Sequence, residues 1–130
     1  MAPYPWHFGG QRYQNLFMDM IEIIKFCKSA KIRICNDLSH SYLACNTFGW
    51  DYYAYVKKLA PYTAHYHISD GSDYAGEGLE IGKGTINFTK LCKIIKSHKN
   101  KVSFIPEIWQ GHTDNGAGFW KSLKTLNGKI

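Results

Sequence analysis

With 130 residues, 45% of them apolar and 15% aromatic, the chain has the mass for one core and one domain, residues 1–130, and its composition excludes collagen-like, coiled-coil and disordered classes. No stretch approaches the roughly 18 consecutive apolar residues of a membrane span, and the N-terminus lacks a charged-then-apolar leader, so no membrane partner and a cytoplasmic address are expected. Lys and Arg total 16 against 10 Asp and Glu, a formal charge of +6; this admits nucleic acid or a phosphorylated small molecule, but Lys90, Lys93 and Lys96 fall at the spacing of a solvated helix face, so nucleic acid is not the expected partner.

In chain order, MAPYPWHFGGQR holds two prolines and a Gly-Gly pair and reads as loop. From Asn15, Phe17, Met20, Ile21, Ile24 and Cys27 recur at helical spacing, which predicts an amphipathic helix ending near Ser29. KIRICND, residues 31–37, reads as a strand that stops at Asn36-Asp37-Leu38-Ser39-His40, with a small, polar loop beyond. A second helix is expected from about Trp50 to Leu59, closed by Pro61, and residues 62–69 alternate as a second strand ending at Asp70. The glycine-rich GSDYAGEGLEIGKGTIN is expected to be loop. Asn87 is positioned to cap a third helix whose apolar face is Phe88, Leu91, Cys92 and Ile95. KVSFIPEI, residues 101–108, makes a third strand kinked at Pro106 and ending at Glu107. A Gly-rich loop then leads to a last helix with Phe119, Trp120, Leu123 and Leu126 on one face and Gly128 as its stop. Strands alternating with helices predict an α/β fold of parallel strands joined by right-handed crossovers.

Chemistry-bearing residues collect at the predicted strand ends, where active sites sit in β/α barrels. Asp37 and His40 are spaced D-x-x-H, His65 and His67 are spaced H-x-H with Asp70 beyond, and Glu107 closes the third strand. Residues two apart on a strand share a face, so His65 and His67 point the same way. Carboxylates and imidazoles from neighbouring strands can then meet at one divalent cation, and the mixed oxygen and nitrogen set suits Mn²⁺, Co²⁺, Mg²⁺ or Zn²⁺. The cysteines Cys27, Cys35, Cys45 and Cys92 lack paired spacing and read as reduced, mostly buried thiols.

The runs ICNDLSHSYLACNTFGW, HYHISDGSDYAGEGLEIGKGTINF and FIPEIWQGHTDNGAGFW resemble the xylose isomerase-like TIM barrels, the sugar phosphate isomerase/epimerase superfamily that also contains endonuclease IV. The resemblance implies a metal held by Asp37, His67 and Glu107, with Glu107 also a proton-transfer base. It implies that His40 touches substrate, as in the epimerases, or a metal, as in the endonucleases. Arg12 and Gln11, after Gly9-Gly10, either face a sugar or phosphate or belong to a plain loop. His112 and Trp109 would wall a sugar ring, although Trp109 could equally pack in the core, and Lys83 is a candidate anion contact.

Two departures accompany the resemblance. The family's further glutamate, from an earlier strand, would fall at or before Met1–Tyr4, where no acid stands. A whole barrel needs about 250 residues, so the chain resembles roughly the C-terminal half, a partial (β/α) barrel. A half barrel leaves sheet edges and an inner face open, which predicts self-association or a partner half barrel. Three functions follow: a metal-assisted sugar or sugar-phosphate isomerase/epimerase; an endonuclease IV-like phosphodiesterase, with Asp70 and Asp73 as further ligands; or a non-catalytic structural subunit.

Overall fold

The computed structural model describes residues 18–130 apart from 75 and 99; the first seventeen residues, with Gln11, Arg12, Asn15 and Phe17, lie outside the described residues. Three parallel strands form the main sheet in the order β1 (Ile34–Asp37), β2 (Thr63–Ile68), β5 (Ser103–Pro106). Its register aligns side chains in rows. Asn36 pairs with Tyr66 and Tyr66 with Phe104, while Asp37 pairs with His67 and His67 with Ile105. Because side chains alternate across a strand, Asn36 and Tyr66 are buried, and Cys35 and Ile105 on the opposite face are exposed. The helices pack on the Tyr66 side. Ile23 and Cys27 of α1 (Met20–Ala30), Leu38 and Cys45 of α2 (Leu38–Phe48), Val56 and Leu59 of α3 (Tyr52–Leu59) and Leu91 and Ile95 of α4 (Phe88–Ser97) fill the core with Tyr66 and Ile68. The parallel α/β architecture is as expected, and the sheet is open, with no closed barrel among the described residues.

Most elements form where their apolar spacing puts them. Asn87 caps α4, its side chain accepting from the Lys90 N–H at 3.0 Å, and Phe88, Leu91, Cys92 and Ile95 are all buried. Helix α5 (Thr113–Leu126) ends before Gly128, which sits at φ 75°. Its first turn is not helical, since Asp114, Asn115 and Gly116 are left-handed.

Several expectations need correction. Helix α1 starts at Met20, because Asp19 caps it by accepting from the N–H groups of Ile21 (2.8 Å) and Glu22 (3.0 Å). Its buried face is Ile23 and Cys27, while Ile21 is 70% exposed. On α5, Trp120 is exposed and Ser122 takes the buried position beside Leu126. The segment after Asp37 is helix α2 rather than loop, running to Gly49, which ends it at φ 69°. The glycine-rich segment holds a hairpin, β3 (Asp70–Ser72) antiparallel to β4 (Gly76–Leu79).

That hairpin is anchored by Asp70, which is fully buried. One carboxylate oxygen accepts from the N–H groups of Gly71 (2.9 Å) and Ile86 (3.1 Å), the other from Gly82 (2.9 Å). These three backbone donors meet on one carboxylate, and those of Gly71 and Ile86 would otherwise be buried without partners. Gly84 packs so closely that a Cβ there would lie 2.4 Å from the Gly71 carbonyl oxygen.

Candidate metal centre

Asp37 ends β1 and caps α2 at once. Its Oδ1 accepts from the His40 N–H (3.0 Å) and the Ser39 hydroxyl (3.1 Å), which fixes the carboxylate and leaves Oδ2 3.7 Å from His67 Nδ1. His67, on the neighbouring strand and in register with Asp37, places Nδ1 2.7 Å from Glu107 Oε2. Glu107 follows β5 directly, and its N–H donates to the Ile68 carbonyl (3.0 Å), which carries the parallel pairing one residue past Pro106. Ligand atoms of Asp37, His67 and Glu107 all lie within 4.8 Å of one another. The three residues read as metal ligands from sequence thus converge at the C-terminal ends of three adjacent strands.

Electrostatics separates the two carboxyls. Burial alone would raise Asp37, but the His40 charge, a hydrogen bond with Glu107 and the His40 N–H together hold it below the ordinary carboxylate range. Glu107 is pushed up, by burial first, then by its hydrogen bond with Asp37 and the Asp37 charge, against the opposing pull of His67. The two carboxyls, shifted in opposite directions, crowd like charge at one point, which a cation would offset. Two carboxylate oxygens and an imidazole nitrogen crowded at one point form a donor set that fits a divalent ion such as Mn²⁺, Co²⁺, Zn²⁺ or Mg²⁺.

A cleft of about 350 Å³ opens beside the cluster, lined among others by Asp37, His40, Glu77, Glu107, Trp109 and His112. His40 sits between two carboxylates, with Nδ1 3.3 Å from Asp37 Oδ2 and Nε2 2.5 Å from Glu77 Oε2. Trp109 is 73% exposed, which removes it from the core and makes it a wall of the cleft. Its backbone N–H donates to the Gly78 carbonyl (2.7 Å), and Gly78 takes the left-handed φ of 63°, which side-chain-bearing residues rarely adopt, with a Cβ there 3.2 Å from Trp109 Cβ.

A family model described as Xylose isomerase-like TIM barrel matches residues 1–127. The chain belongs to this family. Membership places this xylose isomerase-like chain in the superfamily of sugar isomerases and epimerases and endonuclease IV-like proteins. None of the curated proteins compared with it matches. As in TIM barrels generally, the cluster lies at the C-terminal ends of the strands. Other candidates stand apart from it. Arg12 lies outside the described residues. Lys83 is exposed in the turn after Ile81. Asp70 is sealed by its three backbone donors, and Asp73 sits exposed in the β3–β4 turn at φ 48°. Sequence reasoning missed Glu77, whose one signal was an acid between two glycines in a segment taken for loop. No helix among the described residues is long and apolar enough to cross a membrane.

Proposed function

We propose that this chain is a metal-assisted sugar or sugar-phosphate isomerase/epimerase-like protein. One observation carries the reading: the ligand atoms of Asp37, His67 and Glu107 gather beside a cleft with a polar end and an aromatic wall. Asp37, His67 and Glu107 would hold the cation, which when bound polarises a carbonyl or hydroxyl oxygen of the sugar. Glu107, at the edge of the cleft, would take the proton from the carbon next to the carbonyl and return it. His40, steadied by Asp37 and Glu77, orients a sugar hydroxyl. Trp109 offers a flat apolar face to the ring, His112 a polar contact, and Arg12 a charge for a phosphate. The exposed sheet face carrying Cys35 and Ile105 is best covered by a second copy of the chain or a partner half barrel.

Solvent exchange tests this without knowledge of the product. With Mn²⁺ in D₂O and a panel of ketoses, aldoses and their phosphates, deuterium should enter at the carbon beside the carbonyl, as read by proton NMR. Glu107→Gln should abolish the exchange. Exchange that persists in that variant overturns the assignment of the base. No exchange across the panel, together with Mn²⁺-dependent cleavage of abasic DNA, replaces the isomerase reading with the phosphodiesterase one. Neither activity leaves the structural-subunit reading in its place.

A further inference from the structure

We propose that Cys35, His65 and His67 form a second cation site, for a thiolate-accepting divalent ion such as Zn²⁺, one layer deeper along the strands than the carboxylate cluster. This inference does not depend on the proposed activity. Cys35 on β1 is in register with His65 on β2, and His67 is two residues further along the same strand face. Ligand atoms of all three lie within 4.8 Å of one another. A tetrahedral Zn²⁺ with one sulfur and two nitrogens needs them about 3.3–3.6 Å apart. Rotation about the Cys35 side-chain bond would narrow that gap while His65 keeps its Ser103 contact.

Three further features suit the three residues to a cation. Cys35 is the exposed thiol, whereas Cys27, Cys45 and Cys92 are buried in the core. His65 Nδ1 is 2.7 Å from the Ser103 hydroxyl on β5, a contact that fixes the ring and leaves Nε2 as its metal-binding nitrogen. The His65 and His67 rings stand perpendicular with centroids 5.4 Å apart, so they approach from different directions rather than stacking. With His67 Nδ1 engaged by Glu107, its Nε2 is the nitrogen left for this layer. The donor classes then sort the ions: hard Mn²⁺ or Mg²⁺ to the two carboxylates, borderline Zn²⁺ or Co²⁺ to the thiolate layer. On binding, the sulfur–metal bond forms as the Cys35 thiol releases its proton to solvent.

Co²⁺ added to the full chain should give a thiolate-to-cobalt charge-transfer band in the near ultraviolet, bleached by Zn²⁺ and unaffected by Mg²⁺. Cys35→Ser should remove the band, and Ser103→Ala should weaken Co²⁺ binding by about tenfold or more. Glu107→Gln should keep the band, which separates this site from the carboxylate cluster. Far-ultraviolet circular dichroism confirms that each variant is folded. Cobalt binding without the band, a band that survives in Cys35→Ser, or a band lost in Glu107→Gln would each overturn the proposal.

Discussion

Replacing Asp70 should be among the most destabilising single changes in the molecule, and the structure sets the order of the effects. Its carboxylate is fully buried and takes three backbone N–H groups, two on one oxygen and one on the other. Asp70→Asn can keep its oxygen toward Gly71 and Ile86, but its amide NH₂ then faces the Gly82 N–H, donor against donor. One hydrogen bond to a charged group is worth about 1.5–3 kcal/mol, so Asp70→Asn should cost about 2 kcal/mol. Asp70→Ala strands the buried donors of Gly71 and Ile86, while the exposed Gly82 can turn its N–H to water, and should cost on the order of 4 kcal/mol, a large part of the roughly 5–15 kcal/mol that holds a domain folded. At about 3–5 °C per kcal/mol for a chain of this size, thermal unfolding followed by circular dichroism should show Asp70→Asn melting about 6–10 °C below the parent and Asp70→Ala far lower. The same hairpin carries Glu77 to His40, so both variants should also loosen the cleft. An Asp70→Ala protein within about 1 kcal/mol of the parent would refute the reasoning, because the two buried donors of Gly71 and Ile86 cannot be stranded that cheaply.

Three further expectations follow from local geometry. Gly84→Ala places a Cβ 2.4 Å from the Gly71 carbonyl and 2.5 Å from Asp70 Oδ1; it should destabilise by about 1–3 kcal/mol in urea unfolding, and an unchanged midpoint would contradict the packing. Asn87→Ala removes the cap of α4 and should cost about 1 kcal/mol by the same assay, while Asn87→Asp should cost little. Iodoacetamide at pH 8 should modify the exposed Cys35, slowly because burial and the Asp37 and Glu107 charges raise its thiol, and spare the buried Cys45, whose thiol is pushed up to about 12 by burial and the Asp51 charge. Peptide mass mapping reads the outcome, and labelling of Cys45 in the folded chain would contradict it.

The parts of the fold legible in the sequence are those with an undiluted apolar period. In α4, Phe88, Leu91, Cys92 and Ile95 make an unbroken stripe with a capping Asn87 ahead of it, and all four are buried. Helix α2 was hidden because its buried face mixes Leu38, Leu43 and Cys45 with Ser39 and Ser41, so polar residues interrupt the stripe. The same Asp37 carboxylate that the strand-end pattern marks as a ligand also caps that helix, a role its D-x-x-H spacing does not reveal. The β3–β4 hairpin is hidden because Gly71, Gly76 and Gly78 carry no strand propensity, and its anchor is the side chain of Asp70, which pairs with Leu79 in the ladder and reaches the amides of Gly82 and Ile86 beyond it. For the candidate site, Asp37, His67 and Glu107 were readable because acids and histidines at strand ends need only parallel register to meet. The shared position of Cys35 and His65 is also a matter of register, which composition does not reveal. Trp120 and Ile21 lie at apolar helical spacing yet are exposed, because spacing alone does not say where the stripe's edge falls.

Calorimetric titration with Mn²⁺ tests the carboxylate–histidine centre most directly. The parent chain should bind one Mn²⁺, and Asp37→Asn, which preserves the cap on α2, should weaken that binding by about tenfold or more, as should His67→Ala and Glu107→Gln. If all three variants bind Mn²⁺ as tightly as the parent, Asp37, His67 and Glu107 do not hold the ion, and the account of this site is wrong.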